Sequence, residues 1–247
     1  MTGTARPDWL AVLQEQALAL ESAAASTHLS TPVPDCPGWD VADLLGHVGA
    51  VHRMVVAWTS SGRRAGGWAR PPSGDELAWY GDGWRSLLAH LTATGAGTRV
   101  PTWGTADDTA GFWYRRMAHE TAVHSLDMHR AAGREQGWSV PDAFATDGVD
   151  EALRLFLAGR LGTAAGDGSL VQVRVPGRWW AVALHASVVE VGEPEPGPFA
   201  DLVPDAVVRG PAPQVYRWVW GRDAQISESG DPAAVRSLRA ALTRATQ

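Results

Sequence analysis

The first 138 residues contain four segments in which apolar side chains recur with the spacing of an α-helix. Loops rich in proline and glycine separate several of these segments. The predicted helices are residues 8–28, 41–60, 75–91 and 109–132. Asp40 precedes the second helix as a candidate N-cap, and Gly133 ends the fourth. Because four successive helices with apolar faces can bury those faces against one another, this half of the chain predicts a four-helix bundle.

The pattern changes after residue 138. One further helix is predicted over residues 141–160, and segments rich in β-branched and aromatic residues follow it. The predicted strands are residues 170–177, 178–186 and 205–210, and the helices that end the chain are residues 211–222 and 231–242. The predicted fold class is therefore a helix bundle over residues 1–138 followed by a smaller α+β domain over residues 139–247.

The composition and net charge of the chain limit the kinds of molecule that the protein is expected to bind. The 247 residues carry a formal net charge of −6, which argues against binding to nucleic acid or to anionic membranes. The single cysteine excludes an intramolecular disulfide. The N-terminus has no signal-peptide pattern, and no apolar run approaches the roughly 20 residues of a membrane helix. We therefore expect a cytoplasmic protein, a monomer or homodimer, whose partners are small molecules.

Two predicted helices carry side chains that suit a metal ion. Glu120 and His124 are four residues apart and share one face of the fourth helix. His47 lies on the apolar side of the second helix, where an imidazole must find a partner or stay neutral. Together they would form a His–Glu–His set, a known catalytic zinc complement with one open position. Asp127 lies on the same face. It is expected to accept a hydrogen bond from the imidazole of a metal ligand, without binding the metal itself. Spacing alone favours an exposed Glu–His pair and a satisfied core histidine, because E-x-x-x-H is common by chance.

Three other histidines of these helices are predicted not to bind the metal, and the cysteine is predicted to have a structural role. His119 and His124 are five residues apart, about 140° around a helix, so HETAVH is not the zinc motif HExxH. His52 and His129 are also interpreted as non-ligands. Cys36 is expected to be a buried structural thiol, because no base is evident near it.

Three segments together resemble one protein family. They are PVPDCPGWDVADLLGHVGAVHR, AHETAVHSLDMHRA and VVRGPAPQVYRWVWGRD, and they resemble the mycothiol-dependent maleylpyruvate isomerase family over nearly the whole chain. The resemblance implies a DinB-like four-helix bundle followed by a domain similar to sterol carrier proteins. It also implies metal ligands at His47, Glu120 and His124, the three residues that the spacing indicates. The implied cofactors are Zn²⁺, or another divalent metal, and mycothiol.

The resemblance further implies a reaction class. In such isomerases a thiolate adds to an activated cis double bond, the bond rotates as a single bond, and the thiol leaves. Thiol S-transferases share the fold, so transfer of the thiol to an electrophilic small molecule stays open. The family's C-terminal Gly-Arg matches Gly221 and Arg222, which implies that Arg222 contacts an anionic group of substrate or thiol. Arg222 equally suits a helix C-cap. Arg53 is a further candidate for cofactor binding, as are Arg85 and Arg130.

Two other functions remain compatible with the sequence. The first is a non-catalytic small-molecule or lipid-binding protein, which needs an apolar tunnel in the second half of the chain. The second is a metal-dependent hydrolase, in which Asp127 would be the first candidate for the general base. Trp58, Trp103 and Trp113 are expected to form an apolar wall at the mouth of the site, which would favour a substrate larger than a small dicarboxylate.

Overall fold

The structure, a computed structural model, describes residues 7–64, 66, 69–103, 106–160, 166–193, 199 and 202–246. The chain divides into two compact units, Pro7–Ser139 and Val140–Gln247. The first unit is helical and the second combines helices with a mixed sheet, so the predicted fold class is confirmed. None of the described helices has the length and apolar character needed to cross a membrane.

The first unit contains four long helices. They are α1 (Trp9–Ala24), α2 (Val41–Ser61), α3 (Glu76–Thr94) and α4 (Ala110–Ala131), and a 3₁₀ turn at Glu135–Gly137 follows them. The side chains of Asp40 and Asp43 form a reciprocal capping box that fixes the start of α2. Gly62 ends that helix in the left-handed conformation, where a side chain would be strained. The helix on which His47 lies is therefore well defined at both ends.

Helix α4 is the central element of the bundle. It packs mainly against α1, and it also contacts α2 and α3. Most of its residues are buried, and those include polar and charged side chains as well as Trp113, Met117 and Met128. Because burial of an unpaired polar group is unfavourable, each of these side chains is expected to have a partner inside the bundle.

The second unit begins with helix α5 (Asp142–Glu151), which continues as a π-helical segment at Ala152–Ala158. The strands that follow are β1 (Leu170–Val175), β2 (Arg178–Leu184), β3 (Val189–Gly192), β4 (Ala206–Arg209) and β5 (Ser227–Gly230), and the helices are α6 (Ala212–Val219) and α7 (Pro232–Thr246). The strands form one sheet with the order β3-β2-β1-β4-β5. Strands β1 and β4 are parallel, and the other neighbouring pairs are antiparallel.

Sequence reasoning missed strands β3 and β5. Both are four residues long and lie at the two edges of the sheet. Strand β5 has the sequence SESG and is exposed along its whole length, so it lacks the apolar alternation that identifies a strand. Its conformation follows from pairing with β4, which is a tertiary effect.

Candidate metal centre

Helices α2 and α4 bring His47, Glu120 and His124 together. Glu120 Oε1 lies 3.2 Å from His47 Nε2 and 3.5 Å from His124 Nε2. Potential ligand atoms of the three residues all lie within 4.8 Å of one another. The two imidazole rings are 5.1 Å apart and nearly perpendicular. Residues separated by more than 70 positions in the chain therefore form one compact set of nitrogen and oxygen donors.

The two oxygens of Glu120 have different partners. Oε1 faces the two histidines, whereas Oε2 accepts a hydrogen bond from Arg116, one turn earlier on α4. The side chain of Arg116 is only 1% exposed. Burial opposes ionisation of Glu120, but Arg116 and the two histidines outweigh it and hold the pKa of this carboxyl well below its usual range. Glu120 is therefore an anion at neutral pH.

The ring of His124 is held from its other side by Asp127. Nδ1 of His124 lies 2.9 Å from Asp127 Oδ2, and the Asp127 side chain is fully buried. Burial opposes charging of His124, yet the contacts with Asp127, Cys36 and Glu120 raise the pKa of His124 well above its usual range. A carboxylate at Nδ1 directs Nε2 of the same ring toward Glu120 and His47, which is the orientation that a metal ligand needs.

The expectation that Cys36 is buried is wrong. Cys36 is partly exposed, and its Sγ lies 3.5 Å from Asp127 Oδ2. With His124 and Asp127 it forms a second group of potential ligand atoms within 4.8 Å of one another. The loop between α1 and α2 carries Cys36 to α4 across 91 positions of sequence, so no local pattern could reveal this contact.

Trp39 is a further residue of the site that sequence reasoning did not single out. Its ring lies 4.9 Å from that of His47, and it stacks 6.2 Å from that of His124. The only available signal was its place in the segment CPGW, directly before the N-cap of α2. An indole against both imidazoles limits the space in which those rings can rotate.

The other histidines of α2 and α4 have different neighbours. His52 is fully buried, bonds to Thr121 Oγ1 at 3.0 Å, and burial lowers the pKa of His52 to about 3. The ring of His119 lies 5.6 Å from that of Trp9. His129 Nδ1 donates to the carbonyl oxygen of Ser125, which is 2.7 Å away. Within the described residues, neither group of potential ligands includes them.

The candidate arginines of the bundle bind protein groups. Arg53 stacks over Trp79, 3.7 Å from the ring centre, and donates to the carbonyl oxygens of Gly49 and Trp79. Its guanidinium is thus directed at α3, and its role in cofactor binding stays a prediction. Two further arginines form ion pairs; these are Arg85 with Glu21 and Arg130 with Asp35.

Arg222 lies in the second unit, just after α6. Its backbone N–H donates to the carbonyl of Arg217, and its side chain donates to the carbonyl of Trp220, so it does make the helix-capping contacts. It also lines a cavity of about 390 Å³. The other residues of that cavity are Trp218, Asp223, Ala224, Ile226, Glu228 and Arg239.

The tryptophan wall is only partly consistent with the structure. Trp113 is fully buried, and its Nε1 donates to the carbonyl of Pro101 at 2.8 Å, so it belongs to the core. Trp58 and Trp103 are partly exposed and pack edge-on against Trp113. The prediction is therefore wrong for Trp113, because a ring this large is stabilised more by burial than by lining a mouth.

The fold and the site define a helix bundle with a His–Glu–His cluster, followed by a small α+β unit. Residues 10–129 match the family model described as the mycothiol maleylpyruvate isomerase N-terminal domain, and residues 143–236 match the MDMPI C-terminal domain. The chain belongs to the mycothiol-dependent maleylpyruvate isomerase family, which confirms the resemblance seen in the sequence.

Two solved structures are similar to most of the chain. One is a crystal structure of the mycothiol-dependent maleylpyruvate isomerase, and the other is that of a histidine-to-alanine mutant. Each is 14% identical, has a TM-score of 0.59, and covers 90% of this chain and 91% of its own. At this identity the likeness shows a shared fold. No curated protein matches the chain.

Proposed function

We propose that this protein is a metal-assisted enzyme that uses mycothiol. It isomerises an activated cis double bond of a maleylpyruvate-like substrate, or it transfers the thiol to an electrophilic small molecule. The observation that carries the proposal is the convergence of His47, Glu120 and His124 on one point between α2 and α4. Membership of the isomerase family supports the choice of thiol and substrate class.

The donor set fits a divalent metal such as zinc. Two imidazole nitrogens and one carboxylate oxygen are a zinc complement that leaves a position open for another group. In this proposal His47, Glu120 and His124 hold the metal, and Asp127 fixes the ring of His124. When bound, metal and mycothiol together supply a thiolate at neutral pH, because coordination lowers the pKa of a thiol.

The side chains around the donor set differ in exposure. His47 is 30% exposed, Glu120 17% and His124 11%, so solvent reaches the set from the side of His47. Trp39 covers part of both imidazoles. We assign the entry of thiol and substrate to the His47 side. Trp39 is nearer to His47 than to His124, so we assign to its ring one wall of that entry.

Arg222 is proposed to bind an anionic group of substrate or thiol. A guanidinium suits a carboxylate because it offers paired donors in one plane. Arg222 lines a cavity that also contains Arg239, together with two acidic side chains. A lipid carrier requires an apolar tunnel, whereas this cavity is lined by four charged side chains. The lining therefore favours the enzyme over the carrier.

A hydrolase with Asp127 as general base is less compatible with the site. Asp127 is fully buried and is already engaged with Nδ1 of His124. A base must reach the proton that it removes. Asp127 therefore suits a positioning role, and the hydrolase has no other support among the described contacts.

The proposal is tested by elemental analysis of the purified protein together with turnover of maleylpyruvate in the presence of mycothiol. We expect near-stoichiometric metal in the wild type and its loss in His47→Ala, Glu120→Ala and His124→Ala. Arg222→Ala is the matched control, which should retain the metal while its turnover falls about 10- to 100-fold through loss of a charged hydrogen bond.

The outcomes separate the alternatives. Metal with thiol-dependent turnover of maleylpyruvate supports the isomerase, and metal with thiol transfer to another electrophile supports the transferase. A folded wild type that takes up no zinc, even when zinc is supplied, contradicts the enzyme mechanism proposed here.

A further inference from the structure

Arg116 is a buried cation whose presence the proposed function does not yet explain. Its side chain is 1% exposed, although a guanidinium is among the groups least often buried. Removing such a group from water is unfavourable, so its partners must compensate for the lost hydration. One of those partners is Glu120 Oε2, one helical turn further along α4.

Because of the position of Arg116, the two carboxylate oxygens of Glu120 have different contacts. Oε1 is the oxygen near both histidine Nε2 atoms, at 3.2 Å from His47 and 3.5 Å from His124. Oε2 faces the guanidinium. Trp103 lies 5.9 Å from the guanidinium carbon, measured to its ring centre, and so limits the directions in which Arg116 can move.

From this geometry we infer that Arg116 is a positioning residue that restricts Glu120 to binding the metal through Oε1 alone. The inference rests on the metal site of the proposed function. For Glu120 to bind through both oxygens, Oε2 would have to leave Arg116 and weaken a buried ion pair, which is unfavourable. Single-oxygen binding preserves the open position on which access of a thiol depends.

Arg116 also affects the charge of the donor set. Once both histidines are deprotonated, as metal binding requires, the donor set carries the single negative charge of Glu120, and the adjacent guanidinium offsets it. A divalent metal held by this set keeps more of its positive charge than it would beside an unpaired carboxylate. The buried arginine and the single oxygen thus favour the same result, a metal site that is both open and electrophilic.

The test of this inference is the number of Glu120 oxygens that coordinate the metal. An ion pair with only a structural role would not affect that number. We would measure X-ray absorption of the zinc-loaded wild-type protein, and the visible spectrum of Co²⁺ in wild type and in Arg116→Met. Methionine retains much of the side-chain volume and lacks the charge. We expect one Glu120 oxygen at about 2.0–2.2 Å from zinc in the wild type. In Arg116→Met, Glu120 Oε2 loses its contact with the guanidinium and should also coordinate the metal. The coordination number then rises, and the Co²⁺ bands should lose intensity.

Arg85→Met is the matched control. It breaks another Arg–Glu pair, between α3 and α1, neither of which carries a proposed ligand, so its Co²⁺ spectrum should equal that of the wild type. Two Glu120 oxygens on zinc in the wild type would overturn the inference and leave the metal site intact. An unchanged Co²⁺ spectrum in Arg116→Met would also overturn it. If Arg116→Met fails to fold, Arg116→Gln takes its place: a neutral amide holds Oε2 less strongly than a guanidinium, so the Co²⁺ bands should again lose intensity. A wild type without metal would overturn the inference and the proposed function together.

Discussion

The two units of the protein differ in where their charged and polar side chains lie. Among the described residues, almost all the buried polar side chains belong to the helical unit, and Glu151 and Gln172 are those of the α+β unit. Many are on a single helix; those of α4 are Arg116, His119, Thr121, His124, Ser125, Asp127 and His129. Ion pairs of the α+β unit, such as that of Arg178 with Glu193, are substantially exposed, whereas the bundle has exposed pairs and also the buried pair of Arg116 with Glu120.

This difference indicates that the two units make different kinds of site. A buried polar group has few orientations, because its partners are fixed and leaving one unpaired is costly. The bundle is thus suited to holding ligand atoms at defined positions. An exposed charge is screened and mobile, and it contributes little to stability. If burial is the decisive difference, substitutions in the bundle should have large effects on stability and metal binding, and comparable substitutions in the α+β unit should have small ones.

The largest effect is expected for Glu120→Ala in the metal-free protein. Removal of this carboxylate takes away a partner of the buried Arg116, and breaking a buried pair in this way typically costs about 3–5 kcal/mol. Urea unfolding in the presence of a chelator measures the change. The double variant Glu120→Ala/Arg116→Met is the control and should recover part of the loss. Equal stability of the single and double variants would show that burial of the pair is unimportant.

A second large effect is expected from the pH dependence of stability. The pKa of His52 is about 3 in the folded protein, against 6.5 for an ordinary histidine, because burial disfavours the charged ring. As the pH falls, the unfolded chain therefore takes up this proton first. Between pH 7 and pH 4 the folded state should lose about 3 kcal/mol from this group alone.

The variant His52→Gln isolates that contribution. Glutamine can still bond to Thr121 and does not titrate in this range. The free energy of unfolding, measured by urea titration between pH 7 and pH 4, should fall less steeply in His52→Gln than in the wild type. Parallel curves for the two proteins would mean that His52 is charged in the folded bundle, contrary to its burial.

A smaller effect is expected for Asp127→Ala, because Asp127 acts through His124. Loss of the carboxylate at Nδ1 frees the ring to rotate, and loss of such a partner typically lowers metal affinity about 10- to 100-fold. Competition with a chromophoric chelator measures this affinity. Thr121→Ala is the control on the same helix, since Thr121 contacts His52 and none of the three proposed ligands in the contacts described. Similar losses in both variants would contradict a specific role for Asp127.

The sequence predicts the parts of the site that depend on local spacing. Glu120 and His124 share a face because they are four residues apart in one helix, and the apolar pattern of α2 directs His47 inward. Arg116 precedes Glu120 by four residues, so their pairing could have been predicted. Such pairs are usually exposed, and the sequence does not reveal that α4 is buried on nearly every side.

Other features depend on contacts between distant segments. Cys36 reaches Asp127 through a loop whose path is set by the packing of α1 and of α2 against α4, and no periodic pattern encodes that path. Strand β5 is likewise determined by its neighbour β4 and not by its own polar sequence. The four helices and three of the strands were predictable because each buries a regular apolar face.

The smallest effect is expected for Ser237→Ala in the α+β unit. Ser237 and Ser169 donate hydrogen bonds to the exposed Asp167, which lowers the pKa of that carboxyl to about 2. The contribution to stability is present above the ordinary pKa of 3.8 and is lost as the pH falls toward 2. Without Ser237 the pKa should rise toward 3.8, which NMR titration of the Asp167 carboxyl measures. Because solvent screens this site, stability at pH 5 should change by less than about 1 kcal/mol. A loss as large as that of Glu120→Ala would show that exposed charges stabilise the α+β unit as strongly as buried ones stabilise the bundle, and burial would then not distinguish the two.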